Sequence, residues 1–184
     1  MPIEVIGVEA IQTKLSALQV KVEHMRPIMA EIGNMILNDI DETFEAEGKP
    51  KWIQLSRTTL RLGYTNMGKS KSKGTHLKNG KTSRGFEKYI ADRMILQKSR
   101  HLRNSITRIG SDGNIFKVSN DSVTVGTNLK YAAIHQFGGM AGRGRKVKIP
   151  ARPFMPIDKS GNLEPSLRTA ILSYVDSKLE EAVR

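Results

Sequence analysis

The sequence predicts an α+β domain, in which a small antiparallel sheet with a β-hairpin packs against amphipathic helices at both ends of the chain. Three observations support this class: helical spacing of apolar residues near both termini, two-residue alternation in the middle, and enough apolar residues for a core. Hydrophobic residues make up 38% of the 184 residues and aromatic residues 5%, so we expect a mostly aliphatic core. We predict three regions: 1–48 with N-terminal helices, 49–157 as the α+β core, and 158–184 with a C-terminal helix.

The two N-terminal helices are predicted from the spacing of their apolar residues. From Val8 to Met25 these residues recur at steps of three and four, which places them on one stripe of a helix. Pro27 suits the first turn of a second helix, whose apolar residues extend to Phe44 before Gly48. The acidic residues of both helices are expected to face solvent.

Residues 61–85 are predicted to form a long, mobile, basic loop. They consist mainly of Gly, Ser, Thr, Asn and Lys, and such a segment buries too little apolar surface to offset its ordering entropy. A helical pattern returns from Phe86 to Ile95, and a short turn is expected around Leu102 to Ile106.

A β-hairpin is predicted in the middle of the chain. Residues 115–119 and 122–126 are rich in β-branched side chains, and Asn120-Asp121 between them is typical of a two-residue turn. A short helix from Leu129 to Phe137 should follow, because Gly138-Gly139 is a common helix stop.

A second mobile basic loop is predicted at residues 138–148, followed by a stiff extended arm. The arm, Ile149 to Ile157, contains three prolines, which exclude both a helix and a central strand. The final helix, from Pro165 to Val183, shows one apolar face.

Positive charge is concentrated in the middle of the chain. The net charge is +12, yet residues 1–47 carry −6, whereas residues 48–86 hold ten bases and no acid. Residues 122–157 add +6 without one carboxylate. This distribution favours binding to polyanions, to acidic partners or to further copies of the chain.

The sequence contains no convincing catalytic site. Residues 63–70 match the P-loop pattern G-x-x-x-x-G-K-[ST], but no apolar strand precedes them and no helix-forming segment follows. A nucleotide-dependent enzyme would require Lys69 to bind phosphate. The histidines lack metal-ligand spacing, and the chain has no cysteine. We therefore predict a non-enzymatic protein with no cofactor, no metal, no membrane span and no secretory signal.

Two segments carry a family resemblance. The first, Tyr131 to Gly139, reads YAAIHQFGG, and the second, Ile149 to Met155, reads IPARPFM. The pair resembles the tailed-phage virion morphogenesis family, also called tail completion or neck proteins. Arg100 departs from that family, which often has glycine there. Three upstream blocks are also similar to it: Trp52 to Thr59, Leu96 to Ser99, and Leu102 to Ile106.

The resemblance implies a structural virion protein that completes or stabilises the phage tail at the head-tail junction. Such proteins are expected to form a ring, here a hexamer, around the DNA channel. The implied partners are copies of the chain, head-closure or connector proteins, tail terminator or tail-tube proteins, and DNA in the channel. The implied location is the virion, after synthesis in the host cytoplasm.

We predict that the partner interface lies on the arm and on the helix before it. Its candidate residues are Tyr131, His135, Gln136, Phe137, Ile149, Pro150, Arg152, Pro153 and Phe154. Prolines on both sides of Arg152 make this segment stiff, which suits an interface anchor. The alternative is that the arm is an edge strand of the protomer's own sheet.

A second hypothesis is a DNA-binding protein without sequence preference that uses both basic loops. Residues 142–146 contain Arg-Gly-Arg, similar to hooks that insert into the minor groove, but they lack the prolines that flank such hooks. Contacts to nucleic acid or to an acidic partner are expected from six cations: Lys69, Lys71, Lys73, Arg143, Arg145 and Lys146.

Overall fold

The computed structural model describes residues 24–66, 81–158 and 160–183, together with Ser16 and Thr75. In chain order its elements are α1 (Arg26–Glu45), α2 (Arg57–Asn66), α3 (Arg84–Ala91), α4 (His101–Thr107), β1 (Asn114–Val118), β2 (Val123–Thr127), α5 (Ala132–Phe137), β3 (Gly139–Ala141), a 3₁₀ turn (Arg143–Arg145), β4 (Val147–Ile149) and α6 (Pro165–Val183). These helices and two separate antiparallel hairpins confirm the α+β class. The first predicted helix, Val8 to Met25, lies almost entirely outside the described residues.

The core forms where the C-terminal half of α1 meets the chain that follows it and the proline-rich arm. Phe44 of α1 packs edge-on against Trp52, with ring centroids 5.6 Å apart, and stacks on Phe154 at 5.5 Å. Three aromatic rings thus meet within a cluster whose other buried members are aliphatic, as the composition indicated. The remaining buried members of this cluster are Ile40, Ile95, Leu102, Ile106 and Ala132.

The predicted central hairpin is confirmed. Strands β1 and β2 pair from Asn114 opposite Thr127 to Val118 opposite Val123. The backbone N–H of Ser119 donates to the carbonyl of Ser122 at 2.9 Å, which leaves two residues, Asn120 and Asp121, in the turn. Both strands pack against α1 and α4, and these two helices also contact each other.

The prediction of one loop over residues 61–85 is wrong at both ends, because residues 61–66 belong to α2 and α3 begins at Arg84. The two helices pack closely at two glycines. A Cβ on Gly63 would lie 2.3 Å from the Tyr89 hydroxyl, and a Cβ on Gly85 would lie 2.7 Å from the Tyr64 hydroxyl. Gly63 thus lies within a helix, whereas the first glycine of a P-loop follows a strand. Residues 67–80, apart from Thr75, are outside the described part.

The second predicted loop, residues 138–148, is instead a short β-hairpin. Strands β3 and β4 pair from Gly139 opposite Ile149 to Ala141 opposite Val147. The base of this hairpin depends on Gly138, which has φ +72° and whose Cβ would lie 2.8 Å from the backbone nitrogen of Ala151. Glycine alone combines this backbone conformation with so close an approach.

The C-terminal helix is confirmed as α6, which packs on α1 and buries Leu167. A bridge between Ile157 and Leu163 closes the turn that precedes it. Among the helices in the described ranges, none is both long enough and apolar enough to span a bilayer.

Candidate interaction surface

Gln136 attaches α5 to the arm. Its Oε1 accepts hydrogen bonds from the backbone N–H groups of Phe154 at 2.8 Å and Met155 at 2.9 Å, and its Nε2 donates to the Met155 carbonyl at 3.2 Å. Residues 150–156 form no strand, so this amide provides the pairing that a sheet would otherwise supply. Gln136 is buried, which makes these hydrogen bonds difficult to replace with water.

Arg152 points into its own protomer. Its Nε donates to the carbonyl of Ile53 at 3.0 Å, and a terminal nitrogen donates to the carbonyl of Gln54 at 3.4 Å. Its backbone N–H donates to the His135 carbonyl at 2.7 Å. No carboxylate in the described ranges forms an ion pair with this guanidinium, and burial lowers the pKa of Arg152. The side chain therefore joins the segment after α1 to the arm.

These contacts place three of the predicted interface residues inside the protomer. Phe154 is 2% exposed in the core, Arg152 is 5% exposed, and Gln136 is 4% exposed. The indole N–H of Trp52 also donates to the Pro153 carbonyl at 2.7 Å. All these contacts lie within one chain, so Gln136, Arg152 and Phe154 fix the arm to its own protomer. The edge-strand alternative holds only for Ile149, which ends β4.

His135 lies between this buried network and the surface. Its ring is half-buried and meets the Tyr131 ring edge-on at 6.0 Å. Its Nδ1 is buried and has no hydrogen-bond partner in the described part of the chain. Burial, and then the positive charge of Arg152, lower the pKa of His135 below 6.5. The imidazole is therefore neutral at neutral pH, and it packs against the arm as an uncharged ring.

Four apolar side chains around the β3–β4 hairpin are exposed, and we call them the hairpin patch. They are Tyr131 at 41%, Phe137 at 46%, Met140 at 50% and Val147 at 55% exposure. The sequence prediction included the first two and missed Met140 and Val147, because a glycine-rich segment has low β-propensity and was interpreted as a loop. Three further predicted residues remain accessible: Ile149 and Pro150 are half-buried, and Pro153 is exposed.

The turn of this hairpin carries exposed positive charge, and we call it the basic tip. It consists of Arg143, Arg145, Lys146 and the neighbouring Lys148. The Arg145 N–H donates to the Gly142 carbonyl at 3.0 Å, which closes the turn. None of the carboxylates in the described ranges forms an ion pair with the basic tip. The other predicted cations, Lys69, Lys71 and Lys73, lie outside the described residues.

The acidic residues of α1 are already paired within the chain. Arg103 binds Asp41 through two hydrogen bonds of 2.5 and 2.6 Å and also contacts Glu45 at 2.9 Å. These contacts lower the pKa of Asp41 and raise the pKa of Arg103. Lys49 binds Glu42 at 2.9 Å and Asp39 at 3.4 Å. Four carboxylates at the C-terminal end of α1 are thus neutralised by neighbouring bases of the same protomer.

A polar groove of about 430 Å³ lies beside this ion-pair network, between α1 and α4. Arg100, Asn104 and Arg108 are among the residues that line it. Within the described ranges, no three side chains of the metal-ligating types come together in one place.

The chain belongs to the phage virion morphogenesis family, whose model matches residues 6–180. It is also similar to the Mu-like prophage FluMu G protein 2 of Haemophilus influenzae, with 33% identity over 165 residues, which cover 88% of this chain and 90% of that protein. No solved structure matches the chain. The resemblance predicted from Tyr131 to Gly139 and Ile149 to Met155 is therefore confirmed, and so is a role in phage virion morphogenesis.

Proposed function

We propose that this protein is a structural component that completes or stabilises the phage tail at the head-tail junction. In this proposal it assembles as a ring around the DNA channel and docks to head-closure or connector proteins on one side and to tail terminator or tail-tube proteins on the other. It acts by binding, without performing a reaction.

The proposal rests on one unit of structure whose base is fixed to the protomer and whose end is exposed. The unit consists of α5, the β3–β4 hairpin and the arm. Gln136 ties α5 to the arm within this unit, and Arg152 holds its base to the body of the protomer, while the hairpin patch and the basic tip remain exposed. A rigid support with an exposed apolar and basic surface suits a protein that docks to other proteins.

The functional test is a phage in which this gene is deleted. We expect DNA-filled heads and tails to accumulate separately in lysates viewed by electron microscopy, and the full-length protein supplied in trans to restore joined particles. Joined, infectious particles from the deletion would contradict the proposal. Failure to produce any heads, or any tails, would place the protein at an earlier step of assembly.

Ring formation has its own test. Mass photometry of the full-length protein at low and high salt should show a closed oligomer, either alone or after addition of the neighbouring virion proteins. A monomer under all these conditions would remove the ring from the proposal and leave the docking role.

A second candidate function is DNA binding without sequence preference, which is favoured by the unpaired cations of the basic tip. In that case log K should fall by about 0.9 per phosphate contact for each log unit of salt. Fluorescence anisotropy with a labelled duplex measures this slope. The variant Arg143→Gln/Arg145→Gln should then weaken binding to all duplex sequences equally.

A further inference from the structure

We propose that the β3–β4 hairpin is a docking finger for a different protein, whose binding groove is apolar at its centre and acidic at its rim. This deepens the proposed function, on which it rests, by stating the chemistry of one partner. Its occupant is thus neither a second copy of this chain nor DNA.

The hairpin is too small and too exposed to be explained as part of a core. It has three residue pairs, and a two-stranded hairpin of this kind is at best marginally stable alone in water. Ile134 of α5 lies against Gly139 at its base, where a Cβ would be 3.4 Å from Ile134 Cγ1. Every residue from 142 to 148 is exposed. The fold therefore supports the base of the hairpin and leaves its end free for a partner.

The exposed surface of the hairpin carries apolar side chains on both of its sides. Met140 is opposite Lys148, and Val147 is opposite Ala141 in the neighbouring register position. Because side chains alternate between the two faces along a strand, Met140 and Val147 face opposite sides of the hairpin. Both are half or more exposed. Apolar side chains on both sides suit insertion between two walls of a groove better than contact with a flat surface. Tyr, Phe, Met and Arg, the residue types here, are enriched in protein interfaces.

The hairpin and the chain around it carry only positive charge. Residues 122–157 contain no carboxylate, and the basic tip has no ion-pair partner in the described ranges. Its cations would be matched by carboxylates at the rim of the groove. Phosphates would match the charge too, but a DNA backbone offers nothing for Met140 and Val147 to bury against. The combination of apolar faces with a cationic end therefore favours a protein.

A sister subunit is not expected to supply those carboxylates. At the C-terminal end of α1, Asp39, Asp41, Glu42 and Glu45 are already bound by Lys49 and Arg103 of the same chain. A neighbour's basic tip would have to compete with these bases for the same carboxylates. Two copies would also each bring a net charge of +12. The acidic groove is therefore expected on another protein of the particle.

The test replaces Met140 with the photo-crosslinking residue p-benzoylphenylalanine in the full-length protein, expressed during phage assembly, with the same probe at Ile109 as the control. Ile109 is 59% exposed but lies outside the hairpin. After irradiation, mass spectrometry of the crosslinked peptides should identify one other virion protein, at a segment rich in apolar residues and carboxylates. Crosslinks from position 140 to a second copy of this chain, or to DNA, would overturn the proposal.

Two variants test the same surface by function. Met140→Asp and Arg143→Glu/Arg145→Glu should each weaken particle joining by about 100-fold, as expected when an interface anchor is lost. The matched controls, Ile109→Asp and Lys98→Glu/Lys117→Glu, should retain wild-type titres. If the hairpin variants remain folded, as judged by thermal melting, and are as infectious as their controls, the finger is wrong even when gene deletion still separates heads from tails. If deletion itself has no effect, the proposed function fails instead.

Discussion

The arm and the β3–β4 hairpin are neighbours in sequence but have opposite surroundings. Phe154 and Arg152 of the arm are 2% and 5% exposed, whereas Met140 and Val147 of the hairpin are 50% and 55% exposed. The arm carries part of the family resemblance, and most of the hairpin lies between the two segments that carry it. The arm holds the protomer together, whereas the end of the hairpin contributes little to the core. Mutations should therefore separate stability from assembly.

The largest effect is expected for Phe154→Ala, because it removes a ring stacked on Phe44 at the centre of the core. Truncation of a buried phenylalanine costs about 3–5 kcal/mol of unfolding free energy. The control is Phe137→Ala, which truncates the same residue type at an exposed position and should cost less than about 1 kcal/mol. Urea denaturation followed by circular dichroism measures both. Equal losses for the two variants would break the distinction between arm and hairpin patch.

The next effect concerns Gln136, whose side chain binds four backbone groups of the arm. Gln136→Leu leaves the N–H groups of Phe154 and Met155 without acceptors, and each buried unpaired donor costs about 1–3 kcal/mol. We expect the loss to fall just below that of Phe154→Ala. The control, Gln54→Leu, changes an exposed side chain and should be near neutral. A Gln136→Leu variant as stable as wild type would show that the arm does not depend on this amide.

Gln136 and Arg152 also show what the sequence could and could not predict. Helical spacing located α1 and α6, and β-branched alternation with Asn120-Asp121 located the β1–β2 hairpin, because these signals are local. The inward direction of Arg152 depends on the carbonyls of Ile53 and Gln54, which are about a hundred residues earlier in the chain. Polar residue types such as Gln and Arg are usually exposed, so their identity alone pointed outward.

The two missed elements have similar causes. Helix α2 was missed because it packs on α3 through tyrosines that lie against glycines of the other helix, and glycine gives no apolar signal. The β3–β4 hairpin has only three residue pairs and contains glycine at its start. The predicted interface residues come from one segment of the chain, and burial divides them between the core and the hairpin patch.

The ion pair between Arg103 and Asp41 is expected to give the next largest effect. Arg103→Gln removes both hydrogen bonds to Asp41 and should cost about 1 kcal/mol at neutral pH, since the pair is partly exposed to solvent. Because the pKa of Asp41 is lowered in the folded state, this stabilisation is complete above the unfolded pKa and is lost as the pH falls through the folded pKa. Stability measured from pH 7 to pH 2 should therefore converge for the variant and the wild type. If the difference in unfolding free energy between the variant and the wild type stayed constant over this pH range, the assigned pairing of Arg103 with Asp41 would be contradicted.

A smaller effect is expected from His135, which is neutral in the folded protein. Because its folded pKa lies below 6.5, the unfolded chain binds more protons between the folded pKa and 6.5. The wild type should lose stability as the pH falls below 6.5, and His135→Gln should lack this component. Urea midpoints between pH 8 and pH 5 measure the difference. In the variant Arg152→Met, NMR titration should show the pKa of His135 closer to 6.5, because the neighbouring positive charge is gone.

The smallest effect on stability is expected at the basic tip. Arg143→Glu/Arg145→Glu should change the unfolding free energy by less than about 0.5 kcal/mol, because the side chains are exposed and no described carboxylate pairs with them. The same variant is expected to be among the most harmful to particle joining. Phe154→Ala supplied at a permissive temperature should behave in the reverse way, with low stability but joining activity in proportion to the folded fraction. A tip variant that loses stability and joining together would mean that the hairpin supports the fold, and the separation between the two regions would no longer hold.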